Sequence, residues 1–241
     1  SEMCIRDRNR SWDIGFSLLK QDLWRDGDRL AFKVAWFKND IDNAITRRFD
    51  SSTWAFYVDN VDNYTVSGYE LQSGYDAGIA YLDLSASYYQ RARTCDAATA
   101  KRLREDPYAK WSKLDTTPDC VDGGFGTSFV NAQNPPKYSI HSTLGFRLFD
   151  RRLDTGIRRT YNSGPTHELD KPWNTTGSTG LQNIYLPTAI YDFYARWQFT
   201  PKAEVELVVS NLRDTYYMDT LAMSLMPGPG RTTRLNFTAR F

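Results

Sequence analysis

The sequence predicts an all-β fold, a transmembrane, antiparallel, up-and-down β-barrel, of which this chain supplies about nine strands. Three observations carry that expectation. Apolar and polar residues alternate with period two in about nine separate stretches. Aromatic residues make up 15% of the chain although its mean hydropathy is −0.58, so rings and polar groups are finely mixed. Short and long connections also take turns along the chain, which in an antiparallel meander puts all the short ones at one end and the long ones at the other.

The first stretch, SWDIGFSLL, sets Trp12, Ile14, Phe16 and Leu18 on one face against Asp13, Gly15 and Ser17. RDGD at 25–28 has hairpin chemistry, and RLAFKVAW follows with Leu30, Phe32, Val34 and Trp36 in alternation, running on through NDIDNAI. Residues 49–62 are polar and read as a loop. YTVSGYELQSGY then places Tyr69 and Leu71 outward and Glu70 and Gln72 inward, and a turn at 76–78 leads into AYLDLSASYYQ. Residues 91–136 break the pattern and read as a long loop with a helical turn or two over 97–104. KYSIHSTLGFRLF and LDTGIRRTY form the next pair around a tight turn at 150–152, and a second long loop covers 162–188. IYDFYARWQF and AEVELVVSNL pair around 200–202, a loop runs from 213 to about 230, and Leu235, Phe237, Ala239 and Phe241 alternate to the end of the sequence. The apolar face is aromatic, with Trp12, Trp36, Tyr88, Tyr138 and Trp197 placed for interfacial girdles. The other face carries Asp83, Arg147, Asp192, Arg196, Glu204 and Glu206, as a wet lumen requires.

Charge and motifs narrow the function. Thirty basic and 29 acidic residues, net +1, are interspersed, which argues against a nucleic-acid partner. No GxSxG, P-loop or CxxC is present, so nothing in the sequence supports an enzyme. No apolar run reaches the length of a membrane helix. Cys95 and Cys120 lie in one polar stretch, which favours a disulfide and an oxidising compartment. The opening SEMCIRDR resembles read-through of a sequencing adapter, so 1–8 are expected to be non-native and 9–241 to be the barrel segment.

The tail SNLRDTYY…MPGPGRTTRLNFTARF resembles the C-terminus of TonB-dependent outer-membrane receptors. Asn211, Leu212, Asp214 and Tyr217 match the family's segment before the last extracellular loop, and Pro229, Gly230 and Arg231 match the turn that opens the final strand. NRSWDIGF and PGPGRT look most like the haem, haemoglobin or haemophore branch. The resemblance implies a barrel of about 22 strands, closed by an N-terminal plug, in the bacterial outer membrane. It implies import of haem or a ferric chelate, neither held covalently, with energy passed from the TonB complex through the plug. Its partners would be outer-membrane lipid, a haem-carrier protein and the outer-membrane assembly machinery, which reads a final strand such as Leu235, Phe237 and Phe241. Alternatives are a siderophore receptor, a passive porin-like barrel and a soluble β-sandwich module. The candidate ligand contacts are His167, Tyr161 and Trp173 in or beside the 162–188 loop; imidazole is a good haem-iron ligand. His141 falls on the polar face as a wall residue, and no set of metal-ligand spacings occurs.

Overall fold

The computed structural model describes residues 6–50, 53, 55–126, 134–167, 171–175, 186–218 and 227–240. Ten strands form one antiparallel sheet: β1 (Arg8–Gln21), β2 (Arg29–Asp50), β3 (Ala55–Asp76), β4 (Ala80–Cys95), β5 (Cys120–Asp122), β6 (Tyr138–Leu148), β7 (Leu153–Asn162), β8 (Thr188–Thr200), β9 (Ala203–Ser210) and β10 (Thr232–Ala239). Each long strand pairs with its neighbour in sequence, and β5 pairs with the end of β4, outside the main path. β1 and β10 do not meet, so the sheet is an unclosed partial barrel.

Register keeps one side apolar across the whole sheet. Trp36 faces Tyr69, Tyr69 faces Tyr88 and Tyr88 faces Tyr138 on successive strands. The last three rings stack at centroid distances of 6.3 and 5.0 Å. Lower on the same side lie Leu82, Leu144, Ile157 and Phe193 in one row, then Trp197 against Phe149 at 5.5 Å. From Tyr138 to Phe149 is about ten residues; at roughly 3.3 Å per residue and a tilt near 40°, that spans about 25 Å along the membrane normal, the height of a barrel's apolar band. Both expected girdles are therefore present, one at each edge of the band.

The other side is polar. Lys33, Gln72, Asp83, Ser85, His141 and Thr143, together with apolar neighbours such as Leu19 and Ala31, line a concave cavity of about 580 Å³. His141 Nδ1 lies 3.3 Å from Thr160 Oγ1, as expected of a wall residue. Lower on this face Arg147 grips Asp76 at 2.8 Å and lies over the Tyr81 ring. The Tyr81 hydroxyl donates to Asp154 at 2.8 Å and meets that of Tyr194 at 2.5 Å, while Arg196 reaches Asp154 at 3.3 Å. These rings lie over Gly145 and Gly156, where a Cβ would overlap the Tyr194 hydroxyl and, at Gly156, the Leu144 carbonyl. Bare glycine backbone is what lets the tyrosines lie flat against the wall.

Tight connections at 22–28, 77–79, 149–152 and 201–202 share one end. There buried Asp28 accepts backbone N–H groups of Leu23, Trp24 and Arg25 and the Tyr75 hydroxyl. Burial opposes ionisation of this carboxyl, but the four donors outweigh it and hold its pKa below the ordinary carboxylate range.

The expected loop at 49–62 is a correction. β2 and β3 each run 22 residues and stay paired to Asp50↔Ala55. About ten residues suffice to cross the membrane, so the remainder stands beyond it as a ladder outside the bilayer, with Ala44, Arg48 and Val61 buried along it. Arg8, inside the segment set aside in the sequence, pairs with Asp42 as the first residue of β1; residues 1–5 lie outside the described set.

Candidate functional site

The end opposite the tight turns carries what could meet a ligand or partner. Its largest feature is the segment between β4 and β6. Cys95 and Cys120 are disulfide-bonded and also face each other in register, so the staple joins two strands that are already paired. Asp96 caps helix α1 (Ala97–Arg104) by accepting the Thr99 N–H at 3.0 Å, and Asp62 of β3 accepts that of Ala97 at 2.7 Å. α1 occupies the stretch where the sequence suggested a helical turn. Buried Arg48 of β2 ion-pairs with Asp96 and donates to Thr99 Oγ1 at 2.6 Å. The tall β2–β3 ladder thus holds the helix N-terminus. Ala100, Leu103, Ala109, Leu114, Val121 and Phe125 form a small apolar core above it.

The last loop is held at its base by the two motifs read in the tail. Asn211, 3% exposed, donates through Nδ2 to the carbonyls of Thr215 and Pro229 at 2.9 and 3.1 Å and accepts the Thr215 N–H at 2.9 Å. Asp214 accepts the Arg231 N–H at 2.7 Å, and Gly228 donates to the Tyr217 carbonyl at 2.8 Å. The spacing of both motifs therefore describes one clamp that ties the end of β9 to the start of β10. Beside it lies a cavity of about 330 Å³ lined by Thr160, Asn162, Asp192, Ser210 and Tyr217 among others.

The three candidate ligand residues are placed apart, each with a partner. His167 Nε2 accepts the Ala92 N–H at 3.1 Å, while its own backbone exchanges hydrogen bonds with the Asn134 side chain at 3.1 and 2.9 Å. Burial lowers its pKa; Asp122 opposes this, and Arg91 and Lys137 add to it. The ring is a neutral acceptor pinning its loop to β4. Tyr161 faces Ile140 and Ala189 on the apolar side, under the Arg159 guanidinium at 5.1 Å. Trp173 packs against the small loop core. Leu235 and Phe237 stand on the apolar side opposite Leu207 and Val205, about 70% exposed, while Phe241 lies outside the described residues. No cluster of three or more His, Cys, Asp or Glu suited to a metal ion occurs among the described residues. The Arg48–Asp96 anchor had no signal in the sequence, since its two halves are 48 residues apart.

A one-sheet meander with an aromatic-rimmed apolar outside, a hydrogen-bonded polar inside and loops built up at one end defines a membrane β-barrel of the outer-membrane type. A family model described as TonB dependent receptor-like, beta-barrel, matches residues 7–212. The chain belongs to that family. A hemophilin receptor of Acinetobacter baumannii is 30% identical over 249 residues, covering 96% of this chain and 22% of the relative. Among solved structures, the Serratia marcescens hemophore receptor HasR, in complex with its hemophore HasA and heme, superposes with a TM-score of 0.62 at 24% identity, covering 99% of this chain and 32% of that one. The FrpB iron transporter from Neisseria meningitidis gives 0.64 at 20% identity, covering 98% and 31%. These two likenesses speak for the fold alone. The chain spans about a quarter of the length of the curated relatives it matches, 22% and 26%.

Proposed function

We propose that this chain is the C-terminal barrel portion of an outer-membrane receptor that imports haem, delivered by a haem-carrier protein, using energy passed through TonB to a plug domain. The observation that carries the reading is the 30% identity to a hemophilin receptor along 96% of this chain, loops included. The stapled β4–β6 segment supports it, because a loop with its own core presents a fixed surface to a partner and loses little entropy on binding. His167, Trp173 and Tyr161 enter this reading as supports of the mouth, with His167 Nε2 engaged by the Ala92 N–H. In β10, Leu235 and Phe237 provide the apolar alternation of the assembly signal. The reaction is transport, with no covalent step.

The test uses the complete receptor that contains this chain, produced in an iron-starved strain lacking its own haem uptake. Growth on haem or on carrier-bound haem as sole iron source, lost when TonB is deleted, is the expected result. Growth on a ferric siderophore but not on haem overturns the haem reading and favours the siderophore alternative. Uptake that persists without TonB favours a passive barrel.

A further inference from the structure

The apolar side of the sheet does not end cleanly at its outer girdle; cations follow directly. An extra residue in β4, at the irregularity between Ser67 and Gly68 of β3, shifts the alternation by one. Gln90 is taken up there, on the outward side, where its Oε1 accepts the Trp36 indole N–H at 3.3 Å. Beyond it Arg91 and Arg93 point outward instead of into the lumen, in register with Ser67 and Thr65. Lys38 stands beside them, opposite Ser67. On the far side of the sheet Arg213 lies over Tyr191 at 4.4 Å, while Arg159 stands opposite Ser142, two same-face positions inside Tyr138, and its guanidinium reaches up over the Tyr161 ring at 5.1 Å; both tyrosines face outward.

None of these five cations has an ion pair among the described residues. The nearby carboxylates Asp40 and Asp42 are occupied by Arg10, Asn63 and Thr65. Asp122 faces Arg93 in register without pairing with it. Arg93 and Arg159 each bury a guanidinium Nε with no hydrogen-bond partner. Unpaired cations held beside aromatic rings at the edge of a hydrocarbon band lack a counter-charge, and a planar guanidinium fork matches phosphate oxygens.

We propose that Lys38, Arg91, Arg93, Arg159 and Arg213 form a belt that binds the phosphate groups of lipid headgroups in the extracellular leaflet. The belt is independent of what the receptor imports. It lies outside the lumen, on the side that continues the apolar band, so lipid acyl chains below and phosphates above meet one continuous surface.

The complete receptor, stripped of lipid in detergent, is titrated with diphosphorylated lipid A and with its dephosphorylated form, and bound lipid is counted by native mass spectrometry. The diphosphorylated form is expected to be retained at least about tenfold better, in line with the attraction of several basic residues to an anionic headgroup. Arg91→Gln with Arg93→Gln, and separately Arg159→Gln with Arg213→Gln, should each reduce that preference. Lys20→Gln with Lys202→Gln, at the tight-turn end, should leave it unchanged. Equal retention of both lipids by the unaltered receptor overturns the proposal, as does a preference that the arginine variants keep while still migrating as folded barrels. If either arginine pair fails to fold, Arg213→Gln alone replaces it, and the same two outcomes apply.

Discussion

Two side chains, His167 and Asn211, fix loops by hydrogen bonds that only one chemical form can make. His167 must be unprotonated at Nε2 to accept from Ala92. Its pKa lies below the ordinary value near 6.5 because of burial. The unfolded loop therefore takes up a proton first, and docking of this loop is fully stable above about pH 6.5 and weakens as pH falls toward the folded value. Hydrogen exchange of the Ala92 amide, corrected for intrinsic rate, should speed up between pH 7.5 and 5.5, and His167→Gln should abolish the dependence; a flat profile in the unaltered receptor contradicts this. Asn211→Ala removes three hydrogen bonds, those to the Thr215 and Pro229 carbonyls and the one from the Thr215 N–H. It should destabilise the final loop by about 2–4 kcal/mol, read as faster proteolytic nicking between 213 and 230 with the barrel intact. The tail residues were legible in the sequence as matches to a pattern, but the reason for the pattern, that Asn211 holds Pro229 and Asp214 holds Arg231, needed the backbone path between them.

At the scale of elements, the β4–β6 segment is held covalently by Cys95–Cys120 and electrostatically by Arg48–Asp96. Replacing both cysteines with serine frees a loop whose ends are 25 residues apart, a loss of roughly 3–3.5 kcal/mol in the chain-entropy treatment. Limited proteolysis should then cut within 96–126 while heat-modifiable migration of the barrel persists; unchanged protection would show that the Arg48 anchor suffices alone. Strand positions were legible wherever one face meets lipid, because burial on one side forces period two. Two features escaped for the same physical reason. The outermost end of β2–β3, residues 49–62, stands clear of lipid, so it lacks the one-sided burial that imposes period two and reads as loop. The added residue at Gln90 changes which face is which without changing composition.

For the whole molecule, the sidedness of the sheet is the property most open to test. Leu144 faces outward in the row with Leu82 and Ile157, and Thr143 faces the cavity. Leu144→Arg should cost about 2–4 kcal/mol, the penalty for arginine on the lipid face near the bilayer midplane, and depress yield of folded receptor. Thr143→Gln should be tolerated. Equal effects from the two would contradict the assignment of faces. Class and sidedness were readable because the membrane imposes them residue by residue. How the loops meet was not, because it depends on segments far apart in sequence: His167, Trp173 and Tyr161 lie against three different neighbours.

The pairing of Cys95 with Cys120 also bears on how the barrel is assembled. Thiols of an exported protein meet an oxidant in the periplasm, and these two sit at the foot of a segment with its own helix and apolar core. The segment is thus able to close into a knob before the strands on either side enter the bilayer. A barrel that inserts in this way must carry a compact, already cross-linked body across the membrane rather than thread a slack loop. Biogenesis of the complete protein should accordingly be sensitive to periplasmic oxidation, at a step earlier than insertion of the strands.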